Sequence, residues 1–499
     1  MCYRRFNCYP GARVDSETPL YQLNIPEVYE TWTFSTNYPE WKEIQAYFDH
    51  VDKVLGLRKD TAFETVVVSA VFDEKVGRWT VKTADGRTAT AKFFIGAAGF
   101  AAKRYVPEYK GLDKFKGTIH HSSFWPAEDV DVQGKKVIVV GTGASGVQIS
   151  QEWGPKVKEM NVFMRTPNLA LPMRRRPMSV EEQKALLPSY PAIFELREHC
   201  FAGWLYEWVE RNTFDDSPEE REAVFESLWK RGGFAFWLGN YKDSLFNGLA
   251  NREAYNFWAK KQRQRITNPV KRDLLCPLEP PHPFGVKRPC LEQNFYEVLD
   301  QDNVNIVDIS AASGNSILEF TETGIKTTDG KHYEADVIAL ATGFETANGS
   351  LPNMGLQSIH GTTLEEDWKA STTAYLGVTI SGYPNFFYTY GPQAPGLLAN
   401  GPTAVEVQGR WIRDCIQMIT RQGLKYINPE KQAELGWKDR VNAVGATSLF
   451  PEVKSSTYMG GNVPGRAREM VFYGDGIRKY REEIRDTLTG WTGFQTVMA

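Results

Sequence analysis

Apolar positions along the chain follow two rhythms that alternate in a definite order. Over residues 39–55, Trp41, Ile44, Tyr47, Phe48, Val51 and Val54 recur at helical spacing and predict a core-packed helix. Residues 63–71 and 79–83 alternate with period two and predict strands, followed by an Asp85-Gly86 hairpin signal and a third apolar run over 93–96. Val137 to Val140 are all β-branched, an apolar strand run, and they break directly into Gly141, Gly143 and Gly146. A helix through Val147, Ile149 and Trp153 and a strand ending at Met164 follow. Residues 178–270 read as helical: Ser179-Val-Glu-Glu182 and Ser217-Pro-Glu-Glu220 are capping boxes, and Trp204/Trp208 and Phe225/Trp229 recur at i,i+4. Residues 277–289 hold too many prolines for a helix or a central strand, so they form a loop, which presents Lys287 and Arg288.

One passage occurs twice. Residues 81–100 align without gaps on residues 325–344, with eight of twenty positions identical: Lys82/Lys326, Thr83/Thr327, Asp85/Asp329, Gly86/Gly330, Ala91/Ala335, Ala97/Ala341, Gly99/Gly343 and Phe100/Phe344. Such a repeat predicts two related dinucleotide-binding halves. The second copy is preceded by the glycine run at Gly141. Residues 1–62 contain no Gly-x-Gly, so the opening strand, loop and helix of the first half, on the order of 30 residues or more, are expected to be missing from this chain.

Composition narrows the function classes. A hydrophobic content of 42% and a charged content of 24% are those of a globular protein, and a net charge of −3 without a long basic run argues against nucleic acid. The six cysteines show neither CxxC nor metal-ligand spacing and read as reduced thiols. No run nears 18 apolar residues, and Arg4, Arg5 and Pro10 leave no signal-peptide core. A cytoplasmic protein without a metal or a membrane span is expected.

The glycine run carries the first chemistry. Gly141-Thr142-Gly143-Ala-Ser145-Gly146 is a GxGxxG between a strand and a helix, where glycine allows close backbone approach to a pyrophosphate at a helix N-terminus. About 20 residues beyond it, where an acidic side chain would hold the ribose hydroxyls of NAD, stand Arg165 and Thr166. A cation there suits a 2′-phosphate and favours NADP(H).

Just upstream, Phe115-x-Gly117-x-x-x-His121-x-x-x-Trp125-Pro126 resembles the fingerprint of the Baeyer–Villiger monooxygenases, a class of flavoproteins. Tyr9-Pro-Gly-Ala-Arg-Val-Asp15, Lys287-Arg288-Pro289 and Ala341-Thr342-Gly343 resemble further signatures of that family, in the expected order. The resemblance implies an α/β fold of two Rossmann-like, FAD- and NAD(P)-binding domains with β-meander crossovers and a helical insertion. Residues 1–127 would be the first part of the FAD domain, its first βαβ unit truncated. Residues 128–342 would be the NADP domain with the insertion at 178–270, and residues 343–499 the second FAD part with a C-terminal loop. The implied cofactors are FAD and NADP(H), and the implied reactants are O2 and a small-molecule ketone. One oxygen atom is inserted beside the carbonyl to give an ester or lactone, with secondary metabolism the expected setting. Arg288 is the implied catalytic arginine, Asp15 the carboxylate that orients it, and Lys287 its catalytic neighbour. The implied cofactor contacts are Tyr9, Asp15, Tyr21, Gly141, Thr142, Gly143, Ser145, Gly146, Gln148, Arg165, Thr166, Ala341, Thr342, Gly343 and Gln393. His121 is read as part of a hinge between the nucleotide domains, and the aromatic insertion as a wall of the substrate cavity. Residues 458–465 resemble the family's loop that closes over NADP, with Thr457 where relatives usually carry a tryptophan. Two alternatives remain at this level. One is an N- or S-oxygenating flavin monooxygenase, against which Trp125-Pro126 and Lys287-Arg288 speak. The other is a non-catalytic NADP-binding relative, because a chain without the first glycine loop is expected to bind FAD poorly.

Overall fold

The structure, a computed structural model, describes residues 7–346, 350–453, 455–461 and 467–499. Cys2 and residues 462–465 of the C-terminal loop lie outside the described residues. Helix α1 (Trp41–Leu55) follows the predicted periodicity: Ile44, Tyr47 and Val51 bury against Val14, Val28 and Phe34. It ends at Gly56, whose positive φ of 62° lets its N–H donate back to the Asp52 carbonyl.

Strands β1 (Val67–Asp73), β2 (Arg78–Thr83) and β3 (Thr88–Ala91) form an antiparallel meander, from which β4 (Phe94–Gly96) departs. The first strand begins later than residue 63, because Glu64 lies in the left-handed region at φ 51° and breaks the extension. Strand β3 is short and exposed along its length, so no apolar rhythm announces it.

The larger half is built on β5 (Thr118–His121), β6 (Lys136–Val140), helix α2 (Ala144–Trp153), β7 (Glu159–Met164) and β8 (Val304–Asp308). A second meander, β9 (Ile317–Thr321), β10 (Gly324–Thr327) and β11 (His332–Glu334), then leads into β12 (Val337–Leu340). Five strands in the order β8-β7-β6-β12-β5 pair in parallel throughout. Val137, Ile138, Val139 and Val140 are buried, as a strand covered on both faces requires. In the other half β4 pairs in parallel with β13 (Phe386–Tyr388), ahead of helix α3 (Gly401–Arg421). The architecture is thus α/β with two Rossmann-like halves.

The repeat is one turn built twice. Thr83 Oγ1 donates to Asp85 at 2.5 Å and Thr327 Oγ1 to Asp329 at 2.6 Å, while Gly86 and Gly330 share a φ of 85°. The segments that follow each copy then cross and pair: Tyr105 N–H donates to Gly343 O, Glu345 N–H to Lys103 O, and Thr342 Oγ1 to Tyr105 O at 2.6 Å. The fingerprint residues sit at this joint. A Cβ on Gly117 would stand 2.5 Å from the Asp336 carbonyl. Buried His121 accepts at Nδ1 from the Ser123 N–H, and burial followed by the Arg104 charge lowers its pKa to about 4, so it is neutral at pH 7. Trp125 packs on Trp153 of α2 with ring centres 5.7 Å apart.

Helices Val180–Leu186, Tyr190–His199, Pro218–Arg231, Gly248–Arg263 and Pro269–Leu275 form the insertion. Ser217 and Glu220 close the reciprocal cap that the sequence predicts. At the other candidate box Ser179 accepts from Glu182 N–H, but the Glu182 carboxylate is taken by Arg176, so only half of that box forms. Trp204 and Trp208 stand in an irregular link and not on a helix; Trp204 is buried edge-on to Phe234. Among the described residues no helix is long and apolar enough to cross a membrane, and no cluster of potential metal ligands occurs.

Candidate active site

The nucleotide cradle is shaped by where a side chain is impossible and where one is merely absent. Gly141 has a φ of 106°, and a Cβ there would stand 2.6 Å from the Ala341 carbonyl. A Cβ on Gly146 would stand 2.0 Å from the Gly141 carbonyl, so this glycine lets α2 close onto the turn. Gly143 has nothing within 4 Å of its Cβ position and caps α2 without any side-chain acceptor. The first N–H groups of α2 therefore face open space, which fits a pyrophosphate. Thr142 Oγ1 donates to Thr166 O at 2.8 Å, and Ser145 is half-buried in the first turn. Gln148, on the inner face of α2, accepts from Tyr9 OH at 2.9 Å. Ala341 floors the cradle, and at Gly343, φ 89°, the position of a Cβ is again open.

Arg165 follows β7 and is exposed. Across from it Lys287 lies half-buried, its Nζ donating to Ser455 Oγ at 3.3 Å. Burial first, and then the Arg165 charge, lower the Lys287 pKa to about 8. Two cations that repel each other beside a phosphate cradle form a site that an anion relieves.

The 277–289 loop is a loop, as its prolines require, and it delivers Arg288. Arg288 Nε and Nη2 both donate to Asp15 Oδ2, at 3.0 and 2.7 Å, and Nη1 donates to the Leu397 carbonyl at 2.8 Å. The guanidinium lies over the Trp204 and Phe234 rings, 5.0 Å from each centroid. Burial pulls its pKa down, but Asp15, Tyr390 and Tyr458 outweigh that and leave it raised. Asp15 reaches this place because Gly11, φ 76°, packs flat on α2, where a Cβ would stand 2.7 Å from Gln148 O.

Other predicted residues are placed differently. Tyr21 packs partly buried against the Val14–Phe34 cluster. Gln393 is buried with its side-chain amide used within its own surroundings: Nε2 donates to Thr372 O and Oε1 accepts from Ala374 N–H. It shapes its loop and offers no side-chain group outward. Two asparagines were missed. Asn251 brackets Phe284 of the arginine loop by accepting from its N–H at 2.6 Å and donating to its carbonyl at 2.9 Å. Asn168 joins that loop to the cradle. Neither stands in a motif, and only the fold brings their partners near.

On the flavin side the Gly99 turn, φ 72°, has open space at its Cβ position. A second glycine cradle for its pyrophosphate is not found among the described residues. Beside Leu398 an apolar cleft opens between Phe201, Trp208, Trp237, Phe450 and Met470. A larger cavity of about 480 Å³ is walled by charged side chains such as Lys103, Glu345 and Glu469.

Residues 26–176 match the family described as flavin-binding monooxygenase-like. Over 495 residues, 99% of the chain, it is 53% identical to the FAD-binding monooxygenase acrE of Aspergillus aculeatus, spanning 83% of that protein. It is 38% identical over 490 residues to the cyclopentanone 1,2-monooxygenase of a Comamonas species, covering 98% of this chain and 88% of the relative. A crystal structure of cyclohexanone monooxygenase from Rhodococcus sp. Phi1 bound to NADP+ superposes with a TM-score of 0.94 at 31% identity, covering 100% of this chain and 92% of that one.

Proposed function

The chain belongs to the Baeyer–Villiger monooxygenases of the flavin-binding monooxygenase-like family, and from the site we propose how its own residues carry that activity. It is an FAD- and NADPH-dependent monooxygenase that inserts one atom of O2 beside a ketone carbonyl, giving an ester or lactone. The observation that carries the residue assignment is the Arg288–Asp15 pair beside the Lys287–Arg165 couple. When bound, FAD supplies the redox chemistry, accepting hydride from NADPH and activating O2. Gly141, Thr142, Gly143, Ser145 and Gly146 hold the NADP pyrophosphate against α2, and Arg165 and Lys287 hold its 2′-phosphate. Asp15 and Leu397 O occupy three of the five N–H groups of Arg288, leaving two for the negative charge that develops on the ketone oxygen. The apolar cleft by Leu398 takes the ketone, an intermediate of a biosynthetic pathway. The domain division is 1–127, 128–342 and 343–499, and the five described cysteines, all free and buried, suit a reducing cytoplasm.

A ketone panel with NADPH and O2 tests the reading. Ester or lactone is the expected product; amine or sulfide oxygenation without any ester contradicts it. Two further outcomes follow from the cation pair. Replacing Arg165 by Ala lowers the preference for NADPH over NADH by about 10- to 100-fold in kcat/KM, because a charge-assisted contact to the 2′-phosphate is lost. NADP+ affinity falls as pH rises through about 8, because Lys287 loses there the proton that a bound phosphate stabilises. Calorimetric titration from pH 7 to 9 reads this slope, and in Lys287→Met the slope over that window disappears.

A further inference from the structure

Arg288 and the cradle belong to different segments, and one side chain joins them. Asn168 Nδ2 donates to Thr142 O at 3.0 Å and to Cys290 Sγ at 2.9 Å, while its Oδ1 accepts from Cys290 N–H at 3.3 Å. Both of its amide hydrogens and its oxygen are therefore committed to a bridge between two loops. Thr142 lies inside the glycine run, and Cys290 lies two residues beyond Arg288. The bridge stands on a firm base: buried Tyr296 donates to Asn168 O at 3.1 Å, and Leu171–Pro172 pairs in parallel with Leu291–Glu292 just beyond it. The Cys290 thiol is held neutral, its pKa raised by burial, and it accepts the amide as a soft partner.

We propose that Asn168 is a positioning residue that ties the geometry of Arg288 to occupancy of the nucleotide cradle. A phosphate that orders the turn at Thr142 fixes one end of the amide, and the other end fixes the loop two residues from the guanidinium. The proposal rests on the functional reading above as far as ester formation is concerned, but the structural coupling is measurable without turnover.

The test compares wild type with Asn168→Ala, and with Asn168→Asp, which keeps the shape and removes both donors. Hydrogen exchange is followed over residues 284–292 and 141–147 with and without NADP+, each protein also carrying Lys287→Met so that the 284–292 loop makes no phosphate contact of its own, alongside NADP+ affinity and ester formed per NADPH oxidised. With Asn168 in place NADP+ slows exchange in both segments. In the variants protection of 141–147 persists and affinity stays within about threefold, because the phosphate donors are untouched. Protection of 284–292 is lost, and ester per NADPH falls about tenfold or more as Arg288 drifts from register. Retained protection of 284–292 in the variants overturns the proposal. So does a loss of NADP+ affinity that matches the loss of ester, which would make Asn168 part of the cradle alone. Should Asn168→Ala not fold, Asn168→Asp carries the same test. If no variant and no wild-type protein forms ester, the functional reading fails while the exchange result still decides the coupling.

Discussion

Arg288→Ala oxidises NADPH but forms ester at least about 10³-fold more slowly than wild type. The guanidinium keeps part of its donors free while its position is fixed from several sides, by Asp15, by the Leu397 carbonyl and by the Trp204 and Phe234 faces. Arg288→Lys retains charge but cannot reproduce the fork, since one ammonium cannot serve Asp15, Leu397 O and a developing oxyanion in the same planar arrangement. Both variants are therefore expected to keep the nucleotide-dependent half of the reaction and to lose the oxygen-inserting half. Product analysis beside NADPH consumption separates the two. Equal loss of both activities would remove Arg288 from its assigned role.

The second large effect separates two glycines of one motif. Gly146→Ala drives a methyl group against the Gly141 carbonyl, a contact neither backbone can yield, and costs about 1–3 kcal/mol of stability. Gly143→Ala meets nothing within 4 Å and keeps a φ of −73°, which any residue adopts, so its thermal midpoint stays with wild type. Its methyl group stands where the phosphate would lie, and the NADP+ dissociation constant rises about 100-fold, roughly 2.8 kcal/mol. Thermal unfolding and calorimetry on the two variants check this crossed outcome directly.

The parts legible in sequence were those whose physics is local. A glycine run after a buried strand needs only its neighbours to be read, and so do the Asp-Gly turns, which were found twice because the same hydrogen bonds recur at Thr83 and Thr327. Arg288 and Asp15, 273 positions apart, were paired by resemblance and then met in the fold. Trp204 and Trp208 misled, because i,i+4 spacing is a helix signal only when the backbone between them is helical. Gln393 sits in the expected loop, but the direction of its side chain depends on Thr372 and Ala374, which no local pattern ties to it. Asn168 was invisible for the same reason: its partners lie 26 and 122 positions away.

The most direct measurement is turnover under 18O2 with NADPH, FAD and a ketone, read by mass spectrometry of the product. One heavy oxygen atom in the ring or chain position of an ester or lactone, absent in Arg288→Ala, is the predicted result. NADPH-dependent oxygenation of nitrogen or sulfur with no labelled ester from any ketone would contradict it.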